Sequence, residues 1–367
     1  MNLHIMQDEK VTSRTIDYFS EALPGQNKFI ILLPSTNYQC VYLKRTGDDI
    51  YKVVYGTKSF WQAVGEVSQY KYIILHFLNA DRIRFVNKIS HPGIVWVIWG
   101  ADLYFGLLSN RGYNMFADPK DEKETLKTLG IFKQWMAKCR KAIVDRWRIK
   151  AVLKISYVCG DQGDYDLLLH YYPEFSHLRR KEFFYYPVDD IMRNIKTDTE
   201  LGNDIIVGNS ASTTGNHREA FKLLSEAEIG NRKVIVPVSY GINKKRVMEA
   251  GKELLPDNFL PVEEFLSLDK YNELLLSARS FVYANYRQEA TGNIVIALYL
   301  GAVVFLSDNN PSLKSMRDLG FIVFSIGQLK EKIDYRLTSV EKKHNIELVN
   351  KLYSRNRLLS VIKESFG

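Results

Sequence analysis

No apolar run in this sequence approaches the ~20 residues that a bilayer-spanning helix requires, so a membrane-embedded protein is not expected. Its opening, MNLHIMQDEK, carries acidic side chains where a secretory signal would have its apolar core. A cytoplasmic location follows as the expectation. Cysteine is scarce: Cys40, Cys139 and Cys159 are scattered without metal-ligand spacing, and three leave one unpaired in any disulfide scheme. All three read as reduced packing residues. There is no G-x-G-x-x-G and no lysine behind a Walker-type glycine, which removes the simplest dehydrogenase and NTPase readings. Internal repeats and low-complexity tracts are missing as well.

What is present reads as globular. The 367 residues, 46% hydrophobic and 25% charged, exceed what one core usually serves, and two domains are the natural expectation. Lys and Arg outnumber Asp and Glu 50 to 42, a net charge of +8 that favours an anionic partner: nucleic acid, a phosphorylated ligand or a membrane surface. Basic residues are dispersed apart from residues 133–150 and 177–181, and no RNA- or DNA-binding fingerprint appears. A non-catalytic nucleic-acid or anionic-surface binder is therefore the alternative class, with no nucleic acid expected.

Short β-rich runs, LHIM, KFIILL, YKVVY, YKYIILHFL and GIVWVIWG, alternate with helical patterns, as in a parallel sheet flanked by helices. KEFFYYP closes this half at Pro187 as a further strand. A polar, charged stretch over 188–203 suits a linker. DIIVG, KVIVPV, SFVYAN and AVVFLS then open a second series over 204–340. The expectation is two similar α/β domains, 1–187 and 204–340, with an amphipathic helix over 341–367 lying on one of them.

Three stretches carry chemistry. In DIIVGNSASTTGNHREAF a strand hands over to a helix through small polar residues, where open α/β sheets bind anions. Gly208 permits close backbone approach there, and Asn209, Ser210, Ser212, Thr213 and Thr214 offer short donors; a turn that caps the next helix is the alternative. In YANYRQEATGNIVIALYL, Thr291, Gly292 and Asn293 open an apolar helix, and their amides would face outward. A helix terminus contributes only ~0.3–1 kcal/mol toward an anion, so Arg287 is the local cation that a diphosphate would also want. A solvated Arg287–Glu289 surface pair is the competing account. In GIVWVIWGADLY, Trp96 and Trp99 read as sheet packing. Asp102 lies just past the strand, where a carboxylate serves either as general base toward a hydroxyl or as a helix cap.

These stretches, VWVIWGADLY, IIVGNSASTTGNH with KVIVPVSYG, and RQEATGN with ALYLGAVVFLSDNNP, occur in the same order in glycosyltransferase family 56, the 4-acetamido-4,6-dideoxygalactose transferases of enterobacterial common antigen synthesis, which the chain resembles from about Ile94 to Pro311. The family carries glutamine and glycine where this chain has Glu289 and Ala290, and threonine where it has Asn293. The resemblance implies the GT-B architecture, two Rossmann-like domains facing across a cleft. It also implies transfer of a deoxyamino sugar from a dTDP- or UDP-sugar to a lipid-diphosphate-linked saccharide at the cytoplasmic face of the membrane. On this resemblance the C-terminal domain holds the donor. Gly208, Asn209, Ser210 and His217 would then line the diphosphate or sugar, with Tyr240 and Arg287 nearby and Thr291, Gly292 and Asn293 at the leaving diphosphate. Asp102 would face the acceptor hydroxyl, with Glu289 as second candidate for base or sugar ligand. No cofactor and no metal are expected. The rival is a metal-dependent GT-A enzyme using Asp164 and Asp166 of GDYD, where a helix start is the simpler account. Trp135 and Trp147 among the Lys and Arg of residues 133–150 would suit peripheral contact with an anionic membrane.

Overall fold

The computed structural model describes residues 1–121, 123, 145–192 and 200–367. Two sheets organise them. The first has seven parallel strands: β1 (Asn2–Gln7), β2 (Asn27–Leu33), β3 (Ile50–Val54), β4 (Tyr72–His76), β5 (Ile94–Val97), β6 (Tyr157–Cys159) and β7 (Arg179–Lys181), in the order β3-β2-β1-β4-β5-β6-β7. The second has six: β8 (Asp204–Val207), β9 (Val234–Pro237), β10 (Phe259–Val262), β11 (Ala278–Tyr283), β12 (Val303–Leu306) and β13 (Phe324–Ser325), in the order β10-β9-β8-β11-β12-β13. Every described pairing is parallel. All carboxyl ends of a sheet therefore lie on one edge, and the strand order reverses between β1 and β4 and again between β8 and β11. Such reversals open the crevices in which doubly wound sheets bind ligands.

Helices cover both faces of each sheet, so the strands are apolar on both sides. In the first sheet Leu3, Ile5, Ile73, Leu75 and Trp96 pack into one core, while Met6, Ile74, Val95 and Val97 pack into the other. The second sheet divides in the same way, with Ile206, Phe281 and Val304 on one face and Ile205, Val207, Val282 and Phe305 on the opposite one.

The structure departs from the sequence reading at three elements. KEFFYYP is not a strand: pairing ends at Lys181, and the aromatic residues after it run along the cleft. Residues 188–191 form a short helix, and Val188 and Met192 enter the core of the second domain, so the polar stretch begins as a packed element. The terminal segment is two helices, Ser339–Tyr353 and Arg355–Phe366. Ser354 breaks them, extended at ψ 160 and capping the second through its side chain. The first lies against helix Thr291–Tyr299 of the second domain, and the second lies against helix Thr12–Ala22 of the first.

Candidate functional site

The carboxyl edges of the two sheets face one cleft of about 1210 Å³, lined from both sides. Its C-terminal wall is built from the loops after β8 and β11, at the reversal of strand order. The loop after β11 ends at Ala290, held left-handed at φ 61, which turns the chain so that the first amides of helix Thr291–Tyr299 open on the cleft. Thr291, Gly292 and Asn293 line it, with Arg287, Gln288, Glu289, Asn209 and Tyr240.

Arg287 and Glu289 are not a solvated surface pair. Each side chain is 13% exposed, and Arg287 Nη2 lies 2.9 Å from Glu289 Oε2. The same oxygen accepts from Thr214 Oγ1 at 3.0 Å and Asn285 Nδ2 at 2.9 Å, while Arg287 Nε donates to Thr214 Oγ1 at 2.9 Å. The two loops are thereby cross-linked, and the guanidinium is fixed at the cleft, where it packs beside Gly100 of the other domain. Burial with three donors on one oxygen commits Glu289 to holding Arg287.

Of the residues expected from the loop after β8, Asn209 reaches the cleft, bonded through Nδ2 to Tyr240 Oη at 3.3 Å. Gly208, Ser210 and His217 lie behind it. Gly208 has φ +66, and a Cβ there would stand 2.9 Å from His217 Nε2; a Cβ on Gly215 would stand 2.4 Å from Cε1 of the same ring. These glycines make a seat for the imidazole, so the close approach that Gly208 permits is to His217 and not to a ligand. His217 is buried, and burial lowers its pKa to about 4, with the backbone of Ser210 opposing the shift. It is not placed to protonate a leaving group in the cleft.

Asp102 is also displaced from its expected role. It is 2% exposed and off the cleft lining. Oδ2 accepts from Leu78 N at 2.8 Å and Trp96 Nε1 at 2.7 Å, and Oδ1 from Trp99 N at 3.0 Å and Leu103 N at 3.2 Å. Four donors saturate the carboxylate, which staples the end of β5 to the loop after β4. Trp96 is core, as expected, but Trp99 lies past the strand, lines the cleft and donates through Nε1 to Tyr185 Oη at 2.5 Å.

The metal alternative fails on geometry. Asp164 and Asp166 sit two residues apart on helix Gln162–Tyr171 and project to opposite sides. Asp164 is buried at the cleft while Asp166 is exposed and bonded to Gln162. Among the described residues no group of three His, Cys, Asp or Glu side chains could hold a metal ion.

The N-terminal wall holds groups that spacing alone does not reveal. Tyr185 lines the cleft at the end of a buried relay: Asn27 Oδ1 meets His4 Nε2 at 3.2 Å, His4 Nδ1 meets His76 Nε2 at 3.2 Å, and His76 Nδ1 meets Tyr185 Oη at 2.8 Å. The Asn27 amide nitrogen donates to the carbonyls of Phe19 and Leu23, so its oxygen faces His4. That fixes the direction of the chain, with His4 Nε2 donating to Asn27, His76 Nε2 donating to His4 and the Tyr185 hydroxyl donating to His76. Lys10 and Arg14 reach the cleft from the loop and helix after β1, and Lys10 lies 5.6 Å from the Tyr240 ring across it. The domains are joined behind the cleft, where Asn216 binds Ala117 and Met115 of the first domain and the Tyr113 hydroxyl donates to the Tyr286 carbonyl, and in its lining, where Ser315 Oγ donates to Asp161 at 2.7 Å.

Of residues 133–150, those at 133–144 fall outside the described residues. Trp147, the described tryptophan of this segment, is 51% exposed. No helix among the described residues is long and apolar enough to cross a membrane.

Residues 141–356 match the family described as 4-alpha-L-fucosyltransferase glycosyl transferase group 56. Among solved structures, the chain is similar to sucrose-phosphate synthase from Thermosynechococcus elongatus (TM-score 0.62, 10% identity, 99% of this chain and 98% of that one). It is also similar to WaaG, a glycosyltransferase involved in lipopolysaccharide biosynthesis (0.56, 12%, 99% and 98%), and to Anabaena HepE in complex with UDP and glucose (0.60, 10%, 99% and 98%). These likenesses extend over the full length of both chains, and the fold they share is GT-B.

Proposed function

From the premise that the chain belongs to glycosyltransferase family 56, and so is a sugar-transferring enzyme, we propose that it moves a deoxyamino sugar from a dTDP- or UDP-sugar to a saccharide carried on a lipid diphosphate, in the synthesis of a cell-surface polysaccharide. The observation that carries this reading is the C-terminal wall of the cleft. There a helix start, Thr291–Asn293, and a fixed guanidinium, Arg287, converge at the reversal of strand order. Charge builds on the leaving diphosphate as the glycosidic bond breaks, and donors fixed in advance stabilise it there without reorganising. Asn209 and Tyr240 border the same space and would contact the nucleotide or sugar, with Glu289 orienting Arg287.

Several observations support the finer parts. The family description names fucose, a 6-deoxy sugar. UDP and glucose occupy HepE, and WaaG works in lipopolysaccharide biosynthesis. Residues 204–340 would bind the donor, and residues 1–187, with their aromatic wall at Phe183–Tyr186, the acceptor. With Arg287 and amides at the diphosphate, transfer proceeds without a metal ion and persists in excess EDTA. A lipid-linked acceptor places the protein peripherally at the inner face of the membrane, with an anionic surface as its partner.

A thermal-shift panel of dTDP-, UDP- and GDP-sugars tests this. A donor at ~100 times its dissociation constant adds roughly 2.7 kcal/mol to the folded state. A shift with a dTDP- or UDP-sugar is expected. No shift with any of them would overturn the reading.

A further inference from the structure

We infer that Asp164 takes the proton from the acceptor hydroxyl, and that Tyr104 is the positioning residue that ties it to the donor-binding domain. The inference rests on the sugar-transfer reading above and assigns the acid–base group that Asp102 does not supply.

Asp164 stands in the first turn of the helix that follows β6, on the N-terminal wall, and lines the cleft. One of its oxygens accepts from the Tyr104 hydroxyl, and no described residue donates to the other. Among the fully buried carboxylates around β5 and β6 it therefore differs from Asp102, whose two oxygens are filled by four N–H groups. The Tyr104 hydroxyl in turn accepts from Gln288 N at 3.0 Å, and Gln288 lies between Arg287 and Glu289 on the donor loop. A three-residue bridge thus runs from the candidate base to the loop that would hold the leaving diphosphate, and it exists when the two domains face each other as they do here. Two other cleft residues are poorer choices. Glu289 keeps one oxygen without a described donor but is the ion-pair partner of Arg287, so taking a proton would weaken the contact that fixes the guanidinium at the leaving diphosphate; the Tyr185 proton is committed to His76, with burial holding that phenol well above its ordinary value.

The step balances without a further reactant. The acceptor O–H bond breaks, its proton passes to Asp164, and the oxygen electron pair forms a bond to the anomeric carbon of the donor. The bond from that carbon to the β-phosphate oxygen breaks, and its electron pair leaves with the nucleoside diphosphate beside Arg287 and the amides of Thr291–Asn293. Displacement from the face opposite the leaving group gives a product of inverted anomeric configuration.

Burial and the neighbouring Asp161 raise the Asp164 pKa to about 8, with Tyr104 and Arg287 opposing and Asp102 adding to the rise. Tyr113 also faces it, and the ion pairs Arg111–Glu174 and Lys314–Asp318 flank the elements packed on its helix. A base with this value is strong once ionised.

The test uses the full chain, with the donor identified by the thermal-shift panel and its acceptor. Asp164→Asn is expected to lower kcat by ~10²–10⁴-fold while the donor Kd measured by calorimetry stays within about twofold. Wild-type kcat/KM should rise with pH to a plateau above about 8. Tyr104→Phe removes a bond that favours the ionised carboxyl, so its rising limb should move to higher pH and its deficit at pH 7 should shrink as pH increases. This second variant keeps the proposal testable if Asp164→Asn does not fold. An Asp164→Asn kcat within tenfold of wild type, a Tyr104→Phe limb that does not move, or a product of retained configuration would each overturn the assignment. A wild-type chain that binds no nucleotide sugar would instead overturn the functional reading beneath it.

Discussion

At Ala290 a non-glycine residue holds φ 61, the left-handed region that costs an L-residue roughly 1–2 kcal/mol. The turn into helix Thr291–Tyr299 requires that conformation, which glycine adopts freely. Ala290→Gly relieves the strain but gives the unfolded chain more freedom, at about 0.5–1 kcal/mol. A net gain of several tenths of a kcal/mol is expected, read as a higher denaturant midpoint; a lower midpoint would show that the alanine is not strained. Asp102 gives the opposite case. Asp102→Asn would turn an amide N–H toward the N–H groups of Leu78 and Trp96 or of Trp99 and Leu103, leaving buried donors unpaired at ~1–3 kcal/mol. The melting temperature should fall while donor affinity holds. An unchanged melting temperature with a turnover loss of two orders would restore Asp102 as the base. The position of Asp102 past β5 was legible in the sequence, because strand ends can be read. Its burial was not, since that depends on Leu78, 24 residues away in the chain. Gly208 was likewise visible as a glycine that permits close approach, but only the fold reveals that His217 fills the space.

At the scale of elements, strands of four or more apolar residues were legible as β-rich runs between helical patterns, and they fixed the expectation of two α/β domains. The strands that escaped are short or border exposed surface: β6 and β7 with three residues each, β13 with two, and β10, whose Leu260 and Pro261 are at best partly buried. Such segments are strands because neighbouring strands pair with them. The apolar spacing at the chain end was legible too, but not its division between domains. Helix Arg355–Phe366 inserts Leu358, Ile362 and Phe366 into the core beside helix Thr12–Ala22. At ~1.5–3 kcal/mol for each buried side chain, these three account for about 5–9 kcal/mol, comparable with the whole stability of a domain. Removing residues 355–367 should unfold the first domain while the second keeps its protection, measured by hydrogen exchange. Full protection of β1 and β2 in the truncated chain would refute this.

For the molecule as a whole, buried titratable groups set opposing slopes of stability against pH. Burial holds His4 at about 3 and His217 at about 4, and depresses His76 also. In the unfolded chain these histidines take up protons near pH 6.5, whereas in the folded chain they stay neutral. The unfolded state therefore binds more protons below that value, and stability falls as pH drops from about 6.5 toward 4. Asp164 acts in the other direction. Its folded value is raised to about 8, so between its unfolded value and 8 the folded state holds a proton that the unfolded state has lost, and stability falls as pH rises through that window. Asp102, Asp121 and Asp161 are raised as well and oppose the histidines toward the acid end. Above 6.5 the histidines contribute no slope and Asp164 remains. From 6.5 to 8 it should remove about 2 kcal/mol, at 1.36 kcal/mol per unit. The melting temperature is thus expected to peak near pH 6.5 and to decline from there to about pH 8 through Asp164, beyond which the raised Cys159 thiol and the buried tyrosines carry the decline further. Asp164→Asn, which cannot ionise, should abolish the decline from 6.5 to 8 and leave the acid limb in place. A wild-type profile flat from 6.5 to 8.5 would mean that Asp164 is ionised across the neutral range, and would remove the titration on which the rising limb of its catalytic pH profile depends.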